Sequence, residues 1–138
     1  MAIEWSNQLS TGLEWQDIQH REMLERMDGL LEAMNRNEAR AVIEDLLAFL
    51  EDYTHSHFGS EERFMSETDY PALASHRGLH RRFTDRLHEL QRLYKRQGAS
   101  SLVIMHLQRW LRDWLLQHIV QEDQRLGAWA RERPSSVP

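Results

Sequence analysis

Three stretches of this chain follow a histidine, one helical turn later, with a second side chain able to bind a metal or move a proton. His57 precedes Glu61 by four residues in "HFGSE", and His76 precedes His80 by four in "HRGLH". In "HIVQED", His118 precedes Glu122 by four and Asp123 by five. On an α-helix a four-residue step leaves two side chains about 40° apart, on one face. His20, in "DIQHRE", offers a further imidazole. One such pair is weak evidence for a metal; three pairs on three helices, with His20 on a fourth, form a specific pattern. Burying five imidazoles and two carboxylates without a metal would be costly, because buried polar groups need partners and buried charges need more.

The donor types narrow the metal. Eight histidines and no cysteine exclude thiolate zinc sites, iron–sulfur clusters and disulfides. Five imidazoles and two carboxylates exceed what one tetrahedral zinc can use, and the mixture suits iron. With two carboxylates and an oxygen bridging a pair of irons, five histidines would divide three and two. One iron would then be six-coordinate and the other would keep a free position for a small diatomic molecule. At His118, straight-helix geometry favours Glu122 as the second ligand, because Asp123 would lie about 140° away; a local bulge would favour Asp123.

These side chains need four helices to carry them, and the apolar periodicity supplies four. A first helix is predicted from about Trp15 to Arg36. A turn at 35–38, with Asn37 as N-cap, leads to a second helix ending near Ser66. Pro71 interrupts the pattern, since the residue before proline is pushed out of the helical region. A third helix runs from about Pro71 to Gln97 and closes on "YKRQG", cations followed by a glycine. Ser100 or Ser101 caps a fourth, ending near Arg133. The expected fold is all-α: one domain over 1–138, an antiparallel up-down-up-down four-helix bundle. It has an N-terminal arm over 1–14, mostly loose, and a loose tail over 134–138.

Composition agrees with that fold and removes other classes. The chain has 138 residues, 41% hydrophobic and 28% charged, enough for one core. Its net charge of −5 comes with scattered cations, which argues against nucleic acid as a partner. No apolar run approaches the roughly 18 residues of a membrane span. The start lacks the order of a secretory signal, so the cytoplasm is the expected location.

The ordered series His20, "H57FGSE61", "H76RGLH80" and "H118IVQED123" resembles the hemerythrin family, and the single-domain length resembles its bacterial branch. The likeness extends to Trp5, Gly12, Asp17, Gln19, Met65, Tyr70, Pro71, Trp114 and Leu115. It implies a di-iron centre with an oxo or hydroxo bridge. His76, His80 and His118 would hold the six-coordinate iron and His20 and His57 the open one, with Glu61 and Asp123 bridging. The activity implied is reversible dioxygen binding for carriage, storage or delivery, with no enzyme activity. An oxygen-consuming enzyme or a signalling protein would be the partner. The alternative is a redox enzyme or sensor handling nitric oxide, peroxide or oxygen. Ferritin-like oxidases carry Glu-x-x-His motifs, and here only "DYTH" and "DRLH" come near. Met23, Leu115 and Trp114 are expected to line an oxygen pocket, while His55, His88 and His106 are expected to be exposed or structural. Three residues depart from the family pattern: Gln16 replaces an aliphatic residue, and Gly78 and Leu79 stand where polar or acidic residues are common. Close passage of another helix or of the arm would account for that glycine, and so equally would drift.

Overall fold

A computed structural model describes residues 5–34 and 39–132. The predicted turn at 35–38 with its Asn37 cap, the end near Arg133 and the 134–138 tail lie outside the described residues. The helices are α1 (Glu14–Met34), α2 (Ala39–Glu67), α3 (Leu73–Gln97), α4 (Ser101–Gln117) and α5 (Gln124–Glu132). A π-helical segment, His118–Asp123, joins α4 to α5, so the predicted fourth helix is one rod with a wide turn inside it. Helix α1 packs on α2, α2 on α3 and α3 on α4, as in a four-helix bundle.

Local chemistry sets the ends. Glu14 and Asp17 occupy the first turn of α1, where carboxylates meet the positive end of the helix dipole. Helix α3 stops at Gly98, whose φ of 65° and N–H bond to the Tyr94 carbonyl make a glycine C-cap. Lys95 and Arg96 sit in its last turn. Ser100, rather than Ser101, caps α4, its hydroxyl accepting from the Val103 N–H at 3.2 Å.

The core is a stripe of Met23, Leu24, Met27, Ile43, Leu46, Leu50, Phe83, Leu87, Leu107, Leu111 and Leu115 along the inward faces. A smaller cluster of Met65, Tyr70 and Leu126 closes the other end.

The segment before α1 is not loose over its described part. Leu9 and Thr11 are buried. Asp17 anchors the segment, accepting from the Ser10 hydroxyl (2.6 Å) and the Thr11 N–H (2.8 Å). The Gln124 amide reaches across to the Gln8 carbonyl. Gly127 makes this docking possible: a Cβ there would sit within 2.9 Å of Thr11 C and Cβ, and closer to its carbonyl oxygen. Gly78 is different. Apart from its own helix backbone, no described heavy atom would lie within 4 Å of a Cβ at that position, so no described part of another helix or of the arm passes close, and packing among the described residues does not account for it.

Candidate metal centre

Seven buried side chains converge where the main core meets the smaller cluster: His20, His57, Glu61, His76, His80, His118 and Asp123, none more than 5% exposed. Their ligand-type atoms form two groups, each with all its atoms within 4.8 Å of one another. One comprises Glu61, His76, His80 and His118, and the other His20, His57, Glu61 and Asp123.

The two carboxylates divide their oxygens between these sides. Glu61 Oε1 lies 3.2 Å from His76 Nε2 and 3.0 Å from His80 Nε2. Its Oε2 lies 3.0 Å from His57 Nε2 and 3.4 Å from His20 Nε2. Asp123 Oδ1 is 3.1 Å from both His76 and His118 Nε2, and Oδ2 is 3.0 Å from His20 Nε2. Each carboxylate thus spans a three-imidazole side and a two-imidazole side.

The wide turn at 118–123 explains why Asp123 joins the cluster. A π-helix closes its hydrogen bonds over five residues rather than four, which brings the fifth residue after His118 back to the same side. Asp123 is fully buried, whereas Glu122 is partly exposed and lies 3.8 Å from Arg125.

Protons alone do not satisfy the cluster. Nε2 of His20, His80 and His118 and both oxygens of Asp123 are buried with no hydrogen-bond partner among the described residues, despite the short separations. Buried polar atoms are nearly always paired, and unpaired nitrogen and oxygen atoms gathered within 4.8 Å of one another suit a cation. The donors are imidazole nitrogens and carboxylate oxygens without thiolate, a set that fits iron. The electrostatics agree. Burial would lower the imidazole pKa values, but Asp123 and Glu61 raise His20 to about 9 and His76 to about 10. Burial opposes ionisation of Glu61, yet the surrounding histidines, His57 first, hold its carboxyl well below the ordinary range. Asp123 is also held low: burial and Glu61 push it up, and His118 and His20 outweigh them. The two buried carboxylates thus draw positive charge into the site, as protons on His20 and His76 or as a bound cation.

Neighbours fix the rings. Gln19 Oε1 lies 2.7 Å from His57 Nδ1, and Glu62 Oε2 lies 3.0 Å from His80 Nδ1. Arg77 in turn donates to Glu62 at 3.1 Å. Partners of this kind set tautomer and orientation in metal-binding histidines. Tyr53 donates its hydroxyl proton to the Gln19 carbonyl, holding α1 against α2 beside His57. Phe58 stacks on His80 (3.8 Å between centroids, 5° between planes), and Trp114 stacks on His118 (4.4 Å, 10°). Met23 and Leu115 are buried in the adjoining core. His55 and His88 are exposed and His106 is half-buried, all three outside the cluster. Sequence periodicity pointed to neither Gln19 nor Glu62 as a site neighbour, while Gln16 shares the face of His20 four residues on. The available signal was adjacency, Gln19 standing next to His20 and Glu62 next to Glu61.

A helical bundle with a buried histidine–carboxylate centre of this kind defines a class of cation-binding proteins. Residues 11–130 match the family described as Hemerythrin HHE cation binding domain. Bacteriohemerythrin of Stenotrophomonas maltophilia is 32% identical over 141 residues, covering 96% of this chain and 90% of that protein. Bacteriohemerythrin of Pseudomonas aeruginosa is 32% identical over 121 residues, covering 88% and 76%. The protein of that name from Methylococcus capsulatus is 28% identical over 123 residues, covering 87% and 89%. The chain belongs to the hemerythrin family.

Proposed function

We propose that this chain is a non-haem di-iron protein that binds dioxygen reversibly, for carriage, storage or delivery, and is not an enzyme. The observation that carries the reading is the division of Glu61 and Asp123 between two unequal histidine groups. Three imidazoles and two shared carboxylates would leave one ion little room for a further ligand. Two imidazoles, His20 and His57, with the same carboxylates would leave the other ion a free position. Iron held by both groups would supply that position and, one from each ion, the two electrons that dioxygen binding requires.

The remaining roles belong to the protein. Gln19 and Glu62 hold the His57 and His80 rings with Nε2 turned inward. Met23 and Leu115 would wall the approach with apolar surface, and Trp114 would screen His118 from water. An imidazole-rich, carboxylate-poor set stabilises high-valent iron less than an oxidase set, which favours release of the ligand over oxidation of a substrate. No described helix is long and apolar enough to cross a membrane; a cytoplasmic location, with an oxygen-consuming enzyme or signalling protein as recipient, completes the proposal.

The test is visible absorption of the iron-loaded protein, reduced without oxygen, exposed to air, then returned to an oxygen-free atmosphere. A band that appears with oxygen and disappears on its removal is the expected result. Iron that passes straight to the oxidised form would overturn carriage and favour a redox enzyme or a sensor for nitric oxide, peroxide or oxygen.

A further inference from the structure

Gln16 stands four residues before His20 on α1, on the same face, and is fully buried. It carries an amide into a position where the family resemblance expects a hydrocarbon. Its Nε2 lies 2.9 Å from Glu61 Oε2, the carboxylate oxygen that faces His20 and His57. The donor assignment follows from chemistry: an ionised carboxylate only accepts, so the amide must present its NH2 group. The other amide atom, Oε1, is buried without a hydrogen-bond partner. The side chain therefore does not cross-link two helices through both of its ends; among the described residues its one polar contact is the shared carboxylate.

We propose that Gln16 is a positioning residue that tunes the metal on the His20/His57 side through Glu61 Oε2, raising its reduction potential. The inference rests on the di-iron reading above. A charge-assisted hydrogen bond draws electron density from the carboxylate oxygen. Less charge then remains to stabilise the metal in its higher oxidation state, so the reduced state, the one that takes up dioxygen, is favoured. Hydrogen bonds to metal ligands set potentials in this way in other iron centres. The acceptor oxygen is specific to one side, because Glu61 Oε1 faces His76 and His80 instead.

The experiment compares wild type with Gln16→Leu and Gln16→Met in the iron-loaded protein, measuring iron content and reduction potential. Metal-free thermal stability is measured in parallel. Leucine restores the hydrocarbon expected in the family; methionine keeps the length of glutamine but donates nothing to a carboxylate. Both variants are expected to retain wild-type iron content, and the metal-free melts check that both fold after losing a donor to the buried Glu61 carboxylate. Both should be oxidised more readily, by about tenfold in the oxidised-to-reduced ratio, or about 59 mV lower for a one-electron couple. A shift in Gln16→Leu with none in Gln16→Met would assign the effect to packing and overturn the inference. Unshifted potentials in both variants would overturn it while leaving the di-iron reading intact. A wild-type chain that takes up no iron would overturn both.

Discussion

Asp123 and Glu122 are adjacent carboxylates, and the wide turn assigns them opposite fates. Asparagine at 123 keeps the shape and removes the charge. Asp123 is fully buried, with the Nε2 atoms of His20, His76 and His118 within 3.1 Å. Removing one partner from a buried charged network costs about 3–5 kcal/mol. Unfolding entropy of about 2.1 cal/mol/K per residue gives about 0.3 kcal/mol/K for 138 residues. The expected fall in Tm is therefore roughly 10–17 °C. On the proposed bridging role of Asp123, Asp123→Asn should also lose iron on dialysis. Glu122→Gln removes only a partly exposed pairing with Arg125, worth at most about 0.5 kcal/mol. Its melting point and iron content should match wild type. The assays are thermal melts of the metal-free proteins and iron per chain after loading and dialysis. Equal effects of the two substitutions, or a larger one at Glu122, would refute the register argument built on the π-helical turn.

Three further outcomes follow from particular contacts. Gly127→Ala places a methyl group against the Thr11 backbone and should destabilise by about 1–3 kcal/mol; faster hydrogen exchange at Thr11 would identify displacement of the N-terminal segment as the cause, and an unchanged melt would contradict the close approach. Gly78→Ala meets no neighbour within 4 Å and should stabilise α3 by up to about 1 kcal/mol with iron content unchanged; a destabilised variant would reveal a constraint on Gly78 that the structure does not contain. Burial works to raise the Asp17 carboxyl, but hydrogen bonds from Ser10 and Thr11 leave it below its ordinary value of 3.8. A lowered carboxyl contributes stability above the ordinary value that is lost as pH falls through the lowered one. Asp17→Asn should thus be less stable than wild type at pH 7, and the gap should close below about pH 4; a gap independent of pH would remove Asp17's charge from the explanation.

Much of this architecture was legible because the bundle repeats one local rule. The i, i+4 pairs His57/Glu61 and His76/His80 need only a regular helix to share a face, and both do. His118 and Asp123 obey a different rule, since their five-residue spacing works only through a π-helical turn. Nothing in the local composition of "HIVQED" distinguishes that turn from an α-helix; the ordered resemblance favoured Asp123 where geometry alone favoured Glu122. The ring-fixing contacts were less accessible. Gln19 borders His20 in sequence yet meets His57, a partner 38 residues away on α2, and Gln16 meets Glu61 across 45 residues. Periodicity says which side of a helix faces inward, not which side chain on the next helix stands at the same height. The N-terminal segment is the clearest case. Its docking depends on Gly127 lacking a side chain at one close approach, and an isolated glycine in a helix gives no indication of what lies against it.

The most direct test of the central account is iron per folded chain together with the magnetic state of the oxidised protein. Two irons per chain, coupled through a shared bridge, are predicted from carboxylates that each face both histidine groups. One iron, two uncoupled irons, or zinc retained under iron-replete expression would contradict it.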